Sequence, residues 1–157
     1  MLSPESLARI DREITKYPAD QKQSAVMSAL RIAQDEFGWL SPETMEFVAS
    51  YLGMPAIAVY EVATFYNMYE LKPVGKYKIT VCSNLSCTLM GAGGVVEHLQ
   101  KKLGIGFGET TGDGRYTLKE GECMGACGDG PLFLINNKRM YGSLSNEKVD
   151  QILAELE

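Results

Sequence analysis

Histidine is almost missing from this sequence. His98 is the only one in 157 residues, which removes any centre that needs two imidazole ligands, such as a Rieske cluster. Basic charge is also short. The formal net charge is −5, the opposite of the basic patch that nucleic-acid binding requires. Long apolar runs are missing too: the longest, Met54 to Tyr60, falls far below the ~20 residues of a membrane-spanning helix. The opening Met1-Leu2-Ser3-Pro4-Glu5 lacks the basic, apolar and small-residue succession of a secretion signal, so the expectation is a reducing compartment, the cytoplasm. The composition, with 45% hydrophobic and 22% charged residues, is that of an ordinary globular protein. A chain of this length buries a core without covalent staples.

Cysteine is scarce but strictly arranged. All four lie in two tight pairs, Cys82-Ser83-Asn84-Leu85-Ser86-Cys87 and Cys123-Met124-Gly125-Ala126-Cys127. Disulfides do not suit the expected compartment. A dithiol redox enzyme would separate its cysteines by two residues. Four unrelated core cysteines would sit among packed apolar residues, whereas these are flanked by glycine, serine and asparagine. Metal remains, and the spacing leaves two readings open: a four-thiolate iron–sulfur cluster or a four-cysteine zinc site. The cluster is favoured, because structural zinc usually supports domains too small to fold alone. Gly125, Gly128 and Gly130 are expected to adopt positive φ and turn N–H groups towards the sulfurs. Glu120, Glu122 and Asp129 crowd the second pair, and their charge implies a low reduction potential.

Residues 3–72 read as helix. Ser3 caps a first helix with Leu7, Ile10, Ile14 and Tyr17 on one face and Pro18 as its stop. Asp20 and Gln23 suggest a capping box for a second, with Val26, Leu30, Ala33 and Phe37 apolar and Gly38 at its end. Ser41-Pro42 starts a third, carrying Met45, Val48 and Leu52 and ending at Gly53. The fourth, about Pro55 to Met68, is apolar nearly all round, with only Glu61, Thr64 and Asn67 polar. It is either the central helix of a small bundle or a docking surface that includes Tyr66 and Tyr69.

Leu71-Lys72-Pro73-Val74-Gly75 marks a boundary. Tyr77, Ile79 and Val81 then alternate with polar residues as a strand that ends at Cys82. Cys87 opens a helix to about Leu103, with Leu89, Val95, Val96 and Leu99 buried and its positive dipole end at the thiol. Gly91, Gly93 and Gly94 weaken that helix by roughly 1 kcal/mol each, which suggests close packing against a neighbour. His98 reads as an ordinary boundary residue. Gly104-Ile105-Gly106-Phe107-Gly108 follows a helix rather than a strand, so it is not a phosphate loop. Tyr116 to Lys119 form a second strand and Leu132 to Ile135 a buried third. Asn136-Asn137 turns into an edge strand at Lys138 to Tyr141. Ser143 or Ser145 caps a last helix with Val149, Ile152, Leu153 and Leu156 inward. The expected fold is thus α+β or α/β: an N-terminal helical bundle (residues 1–72) followed by a thioredoxin-like β-α-β-β-β-α domain (residues 73–157). Both cysteine loops should lie at one end of its sheet.

Four stretches carry a family resemblance over essentially the whole chain. They are Ala63-Thr64-Phe65-Tyr66-Asn67-Met68-Tyr69, Cys82 through Cys87, Gly108-Glu109-Thr110-Thr111-Gly112-Asp113-Gly114-Arg115-Tyr116-Thr117-Leu118, and Cys123 through Pro131. The chain resembles the thioredoxin-like [2Fe-2S] subunits found in the NADH-oxidising arm of bacterial proton-pumping NADH:quinone oxidoreductase (respiratory complex I). The resemblance implies that Cys82, Cys87, Cys123 and Cys127 ligate one [2Fe-2S] cluster that exchanges single electrons with the FMN of a partner. No catalytic residue is expected in this chain. NADH and FMN would belong to a neighbouring flavoprotein subunit, and a larger iron–sulfur subunit would carry electrons onward. No nucleic acid or direct membrane insertion is implied, only attachment to the inner membrane through the complex. Met124, Tyr116, Gly130 and Met90 depart from residues often found in the family, namely leucine, phenylalanine, alanine and arginine. Two alternatives remain: the equivalent subunit of an NAD-linked hydrogenase or formate dehydrogenase, or, more distantly, a zinc-bound interaction module with four cysteine ligands.

Overall fold

The computed structural model describes residues 1–156. The chain forms two compact units, one ending at Pro73 and one starting at Val74.

The first unit is helical. Helix α1 (Pro4–Ile14) starts where Ser3 accepts the Ser6 N–H and Pro4 takes the first turn, the position at which proline costs no hydrogen bond. Tyr17 lies beyond its end and is exposed. The expected helix capped by Asp20 does not form: Ala19–Ala25 is a 3-10 segment with Gln21 outside helical φ/ψ. Residues 19–24 are all exposed, so no packed face supports an α-helix there, and packing rather than a cap motif supplies most helical stability. Helix α2 (Val26–Phe37) begins where burial begins, at Ala25, Val26, Ala29 and Leu30. It ends at Gly38, whose φ of 81° only glycine adopts freely. Phe37 is exposed rather than part of the buried face. Helix α3 (Pro42–Leu52) is capped by Ser41 and stopped by Gly53 as expected.

Helix α4 (Ala56–Phe65) is shorter than the sequence suggested. It ends because Gln34 of α2 captures the following chain. The Gln34 side chain donates to the Met68 carbonyl at 2.9 Å and accepts the Glu70 N–H at 2.6 Å. Leu40 N–H donates to the Glu70 carbonyl, and the Tyr69 hydroxyl donates to the Met27 carbonyl at 2.9 Å. These bonds fold residues 68–70 back onto α2. Only Val59 and Ala63 of α4 are buried. The helix is therefore not the buried centre of a bundle: Ile57 is 67% and Phe65 79% exposed.

The second unit is a four-stranded mixed sheet with helices. Strands β1 (Tyr77–Cys82), β2 (Tyr116–Gly121), β3 (Phe133–Ile135) and β4 (Arg139–Tyr141) lie in the order β2-β1-β3-β4. Strands β1 and β2 are parallel; β3 pairs antiparallel with both β1 and β4. The expected single helix after β1 is two helices, α5 (Leu85–Leu89) and α6 (Ala92–Leu103), broken at Gly91 with φ 95°. Leu89 is consequently exposed, not buried. A side chain at Gly93 or Gly94 would meet nothing within 4 Å, so those glycines do not mark close packing. Helix α7 (Asn146–Glu155) is capped by Ser145. It is tied to α6 by Asp150, which takes His98 Nε2 and Lys102 Nζ at 2.8 Å each. Those two partners hold the Asp150 carboxyl below its ordinary range, Lys102 contributing most. His98 thus has a structural role. Asn136 and Asn137 both take positive φ, and the edge strand resumes at Arg139, one residue later than expected. Val81, Leu99, Leu118, Phe133 and Val149 form the core. Among the described residues, no helix is long and apolar enough to cross a membrane.

Candidate metal centre

The four cysteines arrive from two loops at the same sheet edge. Cys82 is the last residue of β1, and its register partner is Gly121, the last residue of β2. The next residues therefore leave the sheet side by side. The Ser83 N–H donates to the Gly121 carbonyl at 3.1 Å, and the segment after Gly121 carries Cys123 and Cys127. On the other side of β1, the Cys82 N–H donates to the Leu132 carbonyl at 3.0 Å. Cys87 sits inside α5, whose start is held by Asn84 and by the Thr88 hydroxyl, which donates to the Ser83 carbonyl at 2.9 Å.

The pairs live in different environments. Cys82 and Cys87 are 2% and 1% exposed and share a small apolar pocket with Ala92 and Leu132, edged by Met124 and Ala126. Burial pushes the Cys87 thiol up to about 11, helped by its hydrogen bond with Cys82 and opposed by one with the Leu132 backbone. A helix of five residues has no appreciable macrodipole, so the expected dipole stabilisation of a Cys87 thiolate is overridden by desolvation. Cys123 and Cys127 are exposed, with their sulfurs 3.8 Å apart. Gly125, at φ 74°, turns its N–H onto Cys123 Sγ at 3.4 Å, as expected. Gly128 and Gly130 do not take positive φ.

Gly130 serves space instead. A Cβ there would lie 3.1 Å from Met90 Sδ and 3.3 Å from Cys87 Sγ, which places the second loop directly on the first pair. Gly121 is equally confined: its Cβ would meet Thr80 Cγ2 at 2.6 Å and Met124 Cε at 2.8 Å. Neither Gly121, Leu132 nor Met90 stood out in the sequence as a site neighbour. Glu120, Glu122 and Asp129 are exposed around the second loop; none of them and not His98 joins the donors.

Among the described residues, no three His, Cys, Asp or Glu side chains gather as around one metal ion. The thiols stand as two adjoining pairs, close enough that charge on Cys127 bears on Cys87. A single zinc needs its four ligands around one point. A two-iron cluster takes a pair at each iron, and the donor set, all thiol and divided two and two, fits it.

Residues 10–157 match the family model described as thioredoxin-like [2Fe-2S] ferredoxin. The chain belongs to this family. Its cofactor is accordingly one [2Fe-2S] cluster, and the resemblance read from the motifs is borne out. Two family relatives are the NADH-quinone oxidoreductase subunits E of Rickettsia conorii and Rickettsia felis. The first is 44% identical over 145 residues, covering 92% of this chain and 86% of the relative. The second is 45% identical over 143 residues, covering 90% and 85%. Subunit 2 of the Thermus thermophilus enzyme is 36% identical over 147 residues, covering 94% of this chain and 81% of its own. Among solved structures, the NAD+-reducing [NiFe]-hydrogenase in its air-oxidized state shares the fold. The TM-score is 0.69 at 20% identity, over 81% of this chain and 22% of the hydrogenase chain.

Proposed function

We propose that the chain is the electron-transfer subunit of the NADH-oxidising module of an NADH:quinone oxidoreductase, with Cys82, Cys87, Cys123 and Cys127 as the ligands of its cluster. The observation that carries this reading is the convergence of two thiol pairs at one sheet edge, in a chain 42–45% identical to several subunits of that name. When bound, the cluster takes up and gives back single electrons. The chain's own residues do the rest. β1 and α5 hold Cys82 and Cys87 in a dry pocket, the second loop presents Cys123 and Cys127 at the surface, and the Gly125 N–H supports one sulfur. Hydrogen bonds to sulfur and solvent exposure are what tune such a centre. The nearby carboxylates Glu120, Glu122 and Asp129 keep its potential low; a positive measured potential would remove that part of the reading.

The electron partner is the FMN of a flavoprotein subunit that binds NADH, and a larger iron–sulfur subunit takes electrons onward. Residues 1–72 are the docking region, and residues 73–157 the cluster domain. The exposed apolar side chains Ile57, Phe65 and Tyr66 suit the first role. Exposed Leu85, Leu89 and Met90 give the surroundings of Cys87 the apolar character of a protein contact. The complex places the chain on the cytoplasmic face of the inner membrane.

Iron, sulfide and zinc analysis of anaerobically purified protein, with EPR before and after dithionite, tests the site. Two irons and two sulfides per chain with a signal only on reduction support it; one zinc and no signal overturn it. Co-purification decides the complex. Recovery with hydrogenase or formate dehydrogenase subunits instead of quinone-reductase subunits would reassign it. A chain lacking residues 1–72 that still binds the flavoprotein tightly would refute the docking role.

A further inference from the structure

The segment carrying Cys127 is gripped by residues outside both cysteine motifs. After β4 the chain passes through Gly142, Ser143 and Leu144 before Ser145 caps α7. Over that link, the Ser143 N–H donates to the Asp129 carbonyl at 2.5 Å and the Leu144 N–H to the Pro131 carbonyl at 3.0 Å. Lys148, in the first turn of α7, donates from Nζ to the Gly142 carbonyl at 2.6 Å. Gly142 does not take positive φ, so conformation does not require glycine there. Space does. A Cβ on residue 142 would stand 2.7 Å from the Asp129 carbonyl oxygen and 2.8 Å from Asp129 Cβ. The first obstacle is backbone, which cannot swing aside as a long side chain does.

Asp129 closes the short turn Cys127–Asp129. Its N–H donates to Ala126, and the Gly130 N–H donates to the Cys127 carbonyl. Three residues on, the Leu132 carbonyl holds the Cys82 N–H. A push at Asp129 therefore passes backwards to Cys127 and forwards towards Cys82. Cys127 is exposed, and no packed pocket fixes its sulfur, so its place depends on this backbone. Asp129 is the position where it is held.

We propose that Gly142 to Leu144, anchored by Lys148, form a clamp that positions the Cys127 side of the cluster site. Gly142 and Lys148 are positioning residues; neither touches the cluster. The proposal rests on the reading of Cys127 as a ligand. Outer-shell groups of this kind change metal affinity by about 10–100-fold when removed.

The test uses the full chain with its cluster, as Gly142→Ala and Lys148→Met variants. Cluster loss is followed by visible absorbance in the presence of an iron chelator. Reduction potential and EPR are recorded, and the cluster-free chain is melted separately. Gly142→Ala should lose its cluster about 10-fold faster than the unsubstituted chain and Lys148→Met about 3-fold faster, the lower end of outer-shell effects. Both should shift potential or EPR line shape. The cluster-free Lys148→Met chain should melt within about 2 °C of the unsubstituted one, as a surface substitution does. Unchanged cluster lifetimes and potentials, or lifetimes that merely follow the melting temperature, overturn the clamp. If Gly142→Ala does not fold, Lys148→Met decides alone. An unsubstituted chain that takes up no iron and sulfide overturns the reading of the site itself, and the clamp with it.

Discussion

In the helical unit, the side chains not needed for the core are apolar and stand in solvent: Ile57, Phe65 and Tyr66 beside a core made by Leu30, Ile32, Leu40 and Leu52. In the sheet unit, the corresponding surplus is sulfur and glycine, and half of it is drawn inward: Cys82 and Cys87 are buried, with Gly121 and Gly130 wedged where no Cβ fits. Its exposed apolar side chains are concentrated on α5, Leu85 and Leu89, with Met90 just beyond it. The difference teaches how each unit carries its role. The first presents a surface and has slack in its sequence there. The second builds an interior site and has little slack, because ligand, pocket and backbone share the same few ångströms.

That contrast can be broken experimentally, and a convenient reporter exists: Trp39 is the only tryptophan and lies in the helical unit. The largest effect is expected at Leu132, fully buried against the inner thiols. Leu132→Ala should cost the sheet unit about 2–5 kcal/mol and release the cluster, while urea unfolding followed by Trp39 fluorescence keeps its midpoint. Equal shifts in both probes would mean that the units do not unfold separately. Next come the two thiol pairs. Cys87→Ser and Cys123→Ser should both lose the cluster. Without the cluster, only Cys87→Ser should be destabilised, by about 1–3 kcal/mol for a buried hydroxyl, because Cys123→Ser is a surface change worth at most about 0.5 kcal/mol. Equal urea midpoints for the two would erase the distinction between pairs.

In the helical unit, Tyr69→Phe should cost about 1 kcal/mol, the value of the hydroxyl bond to Met27. It should also change the pH profile. Burial pushes the Tyr69 hydroxyl up to about 12. A raised folded-state value means that its contribution is complete below the unfolded phenol's value of about 10 and is lost as pH rises from there to about 12. The Tyr69→Phe variant has no such alkaline loss, so the two Trp39 unfolding curves should converge across that window. The smallest stability effect belongs to Phe65→Ser, within about 0.5 kcal/mol for a position this exposed, although co-purification with the flavoprotein should fall. A large stability loss there would show that Phe65 serves the core after all.

What was legible in the sequence was local. Ser3, Ser41 and Ser145 cap helices and Gly38 and Gly53 stop them because each signal and its effect lie within one turn. The cysteine pairs were legible for the same reason. The 3-10 segment at Ala19–Ala25 was not, since its cap motif is sound and only the missing packing face defeats it. Nor was the break at Gly91: three glycines stand close together, and the backbone alone determines which takes positive φ. The neighbours of the site were least legible. Leu132 and Gly121 acquire their parts through the pairing of Cys82 with residues some 40 to 50 positions away, and Gly142 through contact with Asp129.

The strand order β2-β1-β3-β4 also has a consequence in time. β1 is the first strand of its unit to leave the ribosome, yet it is an inner strand, and both neighbours are synthesised after it. Until β2 and β3 exist, Cys82 has neither the Gly121 register nor the Leu132 carbonyl that place it. A nascent chain halted before residue 132 therefore carries all four thiols and no site. Non-local pairing of this kind forms late, while the helical unit, made first, is free to fold. Cluster insertion is thus a late event that certifies a finished chain, and iron content becomes a readout of complete synthesis as well as of chemistry.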